Sequence, residues 1–303
     1  MILALVYFQQ DILNYFGHAV ANTNSVVVNN LTHNMIADDK LNIILKLFMG
    51  FFILISFYYS DTYLKNNKIF VGEYYVLALF SMLGMMVLVS AANMITLYLG
   101  LELFSLPIYA MVAMQRDSAK AGEAALKYFV MGAIASGILL FGISILYGMS
   151  GSLVLADISK FSDVTSPAYL LGLIFVCVGI AFKFGAAPFH MWMPDVYQGA
   201  PTPVTLFIAV APKLAAFGMA VRLLNSLDLA MQSWGYILMI IGVLSIAWGS
   251  IAALVQTEFK RLLAYSGISH MGFILLGLAT GAFSMALFYV IIYAITSLAI
   301  FGF

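Results

Sequence analysis

The chain has 303 residues, 64% of them hydrophobic and only 9% charged, with a mean hydropathy of +1.04. An ordinary soluble domain carries about 25% charged residues, so composition excludes a soluble fold and places the chain in a membrane. A formal net charge of zero removes the electrostatic case for a nucleic-acid partner, and the single cysteine, Cys177, excludes an internal disulfide framework or cysteine-ligated cluster.

Residues 1–21 are weakly apolar and carry Asp11 and His18; they read as a poor or degraded membrane span rather than a cleavable signal peptide. Residues 22–40 are polar and predict an exposed loop. Together, residues 1–41 form a poorly defined N-terminal segment, and 42–303 a single membrane domain. A membrane span needs about 20 apolar residues. Runs of that length recur at 42–59, 75–92, 94–114, 122–148, 168–187, 202–224, 234–254, 262–281 and 284–303. The predicted fold class is therefore all-α, a polytopic transmembrane helix bundle of about nine or ten spans. The last run reaches Phe303 with no polar tail, so the chain reads as a fragment, a truncated gene product, or one part of a protein completed elsewhere.

Basic residues set the expected orientation. Lys65 and Lys68, Arg116 and Lys120, and Lys260 and Arg261 fall in loops on one face, which is assigned to the cytoplasm. The opposite face has only Lys160 and Arg222 near it.

The stretch Ala181 to Thr205 interrupts this regularity. Four of the seven prolines lie between 188 and 203, and proline removes a backbone donor and clashes with the preceding turn. The helix must break there, toward the cytoplasmic face. Lys183 sits just ahead of the break, a pattern that marks ion and proton pathways in membranes.

Three further charges lie inside apolar runs: Glu102, Lys127 and Lys213. Each costs about 2.5–3.5 kcal/mol at a helix centre. Desolvation favours the neutral form of an amine and a nearby carboxylate favours the charged form, so a Glu–Lys pair is a protonation switch. The bland alternatives are specific. Lys127 is near the start of its span and can snorkel to the surface. Glu102 and Lys213 can form a purely structural pair, and Lys183 can bond carbonyls freed by Pro188. Pro107 and Pro212 lie beside Glu102 and Lys213 and are expected to loosen those helices. His190 and His270 are candidate proton carriers, because histidine titrates near neutral pH, or else packing residues. The four histidines have no metal-ligand spacing. The methionines at 82–94 and the small residues at 132–137 read as packing.

The segments GLELFSLPIYAMVA (100–113), EAALKYFVMGAIASGILLFG (123–142), FKFGAAPFHMWMPDVYQGAPTPVT (182–205) and QTEFKRLLAYSGISHMGFILLG (256–277) resemble the antiporter-like membrane subunits of respiratory complex I, the NADH–quinone oxidoreductase. The resemblance runs from about residue 40 onward. It implies a fold of two inverted five-helix repeats, each with a broken helix, of which the second is incomplete here and its exit lysine unassigned. It also implies a proton-translocating role in which Glu102 pairs with Lys183, Lys127 bridges, and Lys213 passes the proton on. It implies no cofactor bound by this chain, with NADH, FMN, iron–sulfur clusters and quinone elsewhere in the complex. The implied partners are the other complex I membrane subunits and the lipid bilayer, with no nucleic acid. The implied location is the bacterial inner membrane, with the mitochondrial inner membrane as alternative. Two rival functions stand beside it: a subunit of a multisubunit Na⁺/H⁺ antiporter, and a non-pumping structural membrane subunit.

Overall fold

The computed structural model describes residues 14–17, 27–28, 35–67, 69, 71–161, 163, 165–227 and 231–302. Apart from one helical turn at 14–17, the weak first span expected over 1–21 lies outside the described residues.

The nine expected spans are all helices long and apolar enough to cross a membrane. They are α1 (Lys40–Asn66), α2 (Val71–Val89), α3 (Met94–Val112), α4 (Ala119–Ser150), α6 (Pro167–Phe184), α8 (Thr202–Ser226), α9 (Met231–Leu254), α10 (Phe259–Ala279) and α11 (Phe283–Gly302). Two short helices lie between them: α5 (Leu155–Ile158) and α7 (Trp192–Gly199). Side-chain oxygens start several of the spans by accepting an otherwise orphaned backbone N–H. Asp39 caps α1 through Asn42 N at 2.8 Å, Asn93 caps α3 through Ile95 N at 2.9 Å, and Ser118 caps α4 through Ala121 N at 3.3 Å. Helices α3 and α8 continue through Pro107 and Pro212.

The organising element is α8, which is buried along its whole apolar length. Helices α1, α2, α3, α6 and α11 pack around it. This places Lys213 and Arg222, both on α8, in the middle of the protein, 1% and 5% exposed. The other helices keep apolar outer faces, with Tyr58 and Leu254 more than four-fifths exposed. Helices α4 and α6 approach closely at Gly142 and Gly172, where an added Cβ at Gly142 would lie 2.9 Å from the Gly172 carbonyl oxygen.

The segment ahead of α1 departs from the exposed loop expected over 22–40. Strand β1 (Val27–Val28) pairs antiparallel with β2 (Ala37–Asp38). The chain at 35–37 then bonds to the α2–α3 connection, through Ala37 N to Ser90 O at 2.8 Å and Ala92 N to Met35 O at 2.9 Å. Ala37 is buried, and the Asp39 side chain is only 4% exposed. The reason is Arg222. Its guanidinium reaches Asp39 Oδ2 at 2.6 Å, Asn42 Oδ1 at 2.9 Å and the Val89 carbonyl at 3.0 Å. Arg222 is thus a charge held inside the fold and paired there with Asp39. Polarity alone predicted exposure here, and a buried partner reversed it.

Candidate functional site

Helix α6 ends at Phe184 because Gly185 turns left-handed, at φ 72°. Its N–H reaches back to Phe182 O at 2.9 Å, and Ala186 N to Ala181 O at 2.9 Å. A side chain at this φ is strained, and an added Cβ would lie 2.8 Å from Met193 Sδ. The next N–H, on Ala187, is satisfied from another helix by Ser245 Oγ of α9 at 2.8 Å. Pro188 follows, and the chain resumes helical structure as α7. The break therefore falls where the prolines predicted, with its backbone groups covered by protein, as a membrane interior requires.

Lys213 closes the break from the far side. Its Nζ donates to Phe184 O at 2.8 Å and lies 3.5 Å from Lys183 O. It also stands 5.3 Å from the Trp192 ring centre. The role of binding carbonyls freed at the break, one reading of Lys183, belongs instead to Lys213.

Lys183 points the other way. Its Nζ donates to Ser105 Oγ at 2.9 Å, and Ser105 in turn donates to Leu101 O at 2.6 Å. The Phe104 ring lies 5.3 Å from the ammonium. Glu102 is one turn before Ser105 on the same helix. Glu102 and Lys183 are not in direct ion-pair contact among the described residues, and Glu102 Oε1 is buried without a hydrogen-bond partner. Tyr109 Oη and Ser136 Oγ are likewise buried without partners on the facing surfaces of α3 and α4. In place of a direct Glu102–Lys183 pair, Ser105 is the group that holds the lysine.

Lys127 is not between Lys183 and Lys213. Its Nζ is shared between Glu123 Oε1 and Asp195 Oδ2, both at 2.8 Å, and its side chain is 44% exposed. The other Asp195 oxygen accepts from Arg261 Nη1 at 2.7 Å. Asp195 sits on α7, Lys127 on α4 and Arg261 on α10, so one carboxylate ties three helices together. Partial burial pushes the Asp195 carboxyl up, but the bonds from Lys127 and Arg261 outweigh it and hold the group below the usual carboxylate range. Lys260 bonds the Ala200 carbonyl at 3.0 Å, at the end of α7.

His190 lies in the break beside a cavity of about 520 Å³, which is also lined by Pro188, Asp195, Trp248, Arg261 and Tyr265. Its Nδ1 is buried without a partner, and burial holds the imidazole below its ordinary range. His270 stands apart on α10, where its Nδ1 lies 2.8 Å from Tyr289 Oη. The break thus gathers Lys183, Lys213 and His190, with Glu102 one turn from the serine that holds Lys183. Lys127 is at its rim, and His270 belongs to the α10–α11 contact. Ser105, Asp195 and Ser245 were not singled out from sequence, and Arg261 entered only as a basic residue setting the orientation. The only prior signal for Asp195 was an acid between prolines and aromatics.

Residues 91–303 match the family described as NADH:quinone oxidoreductase/Mrp antiporter, transmembrane. The chain is 52% identical over 273 residues to NADH-quinone oxidoreductase subunit N of Thiobacillus denitrificans, which covers 88% of this chain and 56% of the relative. It is 47% identical over 306 residues to the subunit N of Hydrogenovibrio crunogenus, covering 99% of this chain and 64% of the relative. It thus spans between half and two-thirds of these relatives' length. Among solved structures it resembles a chain of respiratory complex I from Thermus thermophilus with bound aureothin. That match has a TM-score of 0.75 and 34% identity, and covers 96% of this chain and 63% of that one. A chain of the membrane-bound sulfane sulfur reductase, an archaeal respiratory membrane complex, matches with a TM-score of 0.70 and 28% identity, over 84% of this chain and 54% of that one.

Proposed function

We infer that this chain, which belongs to the NADH:quinone oxidoreductase/Mrp antiporter family of transmembrane proteins, moves protons as a membrane subunit of a bacterial inner-membrane NADH–quinone oxidoreductase, in the manner of subunit N. The observation that carries the reading is Lys213, a buried ammonium on a buried helix, bonded at 2.8 Å to the carbonyl that ends α6, beside Lys183. A buried amine bonded only to backbone carbonyls at a broken helix is expensive as pure structure. It is suited to taking up and giving up a proton.

The residues divide the task. Glu102 acts on Lys183 through space, and Ser105 fixes where the ammonium sits. When the field along the membrane arm draws Glu102 away, Lys183 releases its proton toward Lys213. Lys213 holds that proton against the Phe184 carbonyl and passes it onward. His190 lines the cavity beside the break with its Nδ1 unpartnered, which suits it to exchange a proton with that cavity. Lys127 enters as part of the Asp195 cluster at the rim. His270, bonded to Tyr289, has the weakest claim to a place in the path. Electron transfer from NADH to quinone belongs to other subunits, as do the cofactors that perform it.

The test is Lys183→Ala in the assembled complex. NADH-driven acidification of vesicles is expected to be abolished or sharply reduced, with the complex still assembled. Normal pumping by that variant overturns the reading.

A further inference from the structure

Two cavities meet at the break. The larger, about 520 Å³, has an apolar mouth at Met191, Leu244 and Trp248, each about half exposed or more, and reaches inward to His190. The smaller, about 190 Å³, is polar, with Lys120, Glu123 and Gln198 on its walls. Asp195 and Arg261 line both. Their 2.7 Å contact therefore lies where the two cavities adjoin. Water and protons cross an apolar mouth poorly, so the polar pocket is the wetter approach.

Each cation of this cluster has a second acceptor in reach. Lys127 lies 2.8 Å from Glu123 as well as from Asp195. Arg261 has Gln198 Oε1 at 3.3 Å and Gln256 Oε1 at 3.4 Å. Lys127 can leave Asp195 and stay ion-paired to Glu123, and Arg261 can leave it and keep the neutral Gln198 and Gln256 oxygens as hydrogen-bond acceptors, which softens the usual penalty for opening such a bond. A purely structural ion pair has no need of this duplication.

We propose that Asp195 is a positioning residue for proton supply: shared between Lys127 and Arg261 it closes a partition between the two cavities, and exchange of either cation to its second acceptor joins the polar pocket to the cavity beneath His190. The inference rests on the proton-transfer reading for its purpose, but its geometry is tested without measuring proton transfer.

The test uses the assembled complex in native membranes, with Ala187→Cys as reporter. Ala187 lines the larger cavity and is 4% exposed. The native Cys177, fully buried, is the internal control. A charged, membrane-impermeant methanethiosulfonate is expected to label position 187 slowly while Asp195 is intact. Labelling is expected to rise roughly tenfold or more with Asp195→Asn, the scale of losing a charge-assisted bond. It should fall back with Asp195→Glu, and Cys177 should remain protected throughout. Equal labelling of position 187 with Asp195, Asn and Glu overturns the proposal, as does fast labelling with Asp195 intact. Labelling of Cys177 together with position 187 also overturns it, because that is general loosening. Should Asp195→Asn fail to assemble, Arg261→Gln opens the partition from its other side and is read in the same way. Because formation of the mixed disulfide at position 187, with release of methanesulfinate, does not depend on pumping, a failure here leaves the Lys183→Ala result standing, and the reverse.

Discussion

Lys213 bonds across the break to the carbonyl of Phe184, 2.8 Å away, so the most buried lysine among the described residues is held by the end of a different helix. This makes its charge and its hydrogen bond separable by substitution. Lys213→Met removes both, and leaving the Phe184 carbonyl unpaired costs about 1–3 kcal/mol. Lys213→Arg keeps a donor and a charge, but a guanidinium does not give up its proton. The arginine variant is expected to assemble with a melting temperature near that of the parent and yet to lose NADH-driven acidification of vesicles. Pumping at the parental rate by Lys213→Arg would remove Lys213 from the path.

Ser105 is the acceptor that holds Lys183, and it lies one turn from Glu102. A hydrogen bond to a charged group contributes about 1.5–3 kcal/mol. Losing its orienting effect should lower proton transfer by roughly tenfold or more. Ser105→Ala is expected to show that fall, and Ser105→Thr, which restores the hydroxyl, to recover most of it. Assembly should be unaffected in both. If alanine and threonine behave alike, the hydroxyl has no part in positioning the lysine.

The features legible in sequence were those with a one-dimensional signature. Nine apolar runs gave nine helices among the described residues, because a membrane span announces itself by length and hydropathy. The break announced itself by proline density. Lys183 and Lys213 stood out because charge in an apolar run is costly wherever the helix goes. Partners were not legible. Ser105 looks like any serine in a membrane helix, where its hydroxyl can bond the carbonyl a turn back. Only the placement of α6 against α3 makes it the acceptor for Lys183. Lys127 and Arg261 are separated by 134 positions in the chain, and nothing local says that one aspartate joins them. Asp39 and Arg222 failed for the same reason, since each looked polar and terminal on its own.

Asp195 gives a pH dependence with a defined sign. Its carboxyl is held below the ordinary value of 3.8 by Lys127 and Arg261, against the opposing push of burial. A depressed acid adds stability that is fully present above the ordinary value and is lost as pH falls through the depressed one. The melting temperature of the parent should therefore exceed that of Asp195→Asn by a margin that is steady near neutral pH and narrows as pH drops through 3.8 and below. A margin that widens on acidification would mean that Asp195 is not the stabilised anion in the fold.

The Asp39–Arg222 pair separates structure from transport. Both side chains are 4% exposed, and they join the start of α1 to the last turns of α8 at 2.6 Å. Removing one member of a buried pair strands the other, at about 3–5 kcal/mol. Arg222→Met should therefore lower the melting temperature of the complex sharply. Asp39→Asn in the same chain removes the stranded anion, so the double variant should be more stable than the sum of the single effects allows. Neither position touches the break, and pumping per assembled complex should match the parent in the double variant. Additive losses in the cycle would show that the two charges act independently, while loss of pumping in a stable double variant would place Arg222 in the path with Lys213 on the same helix.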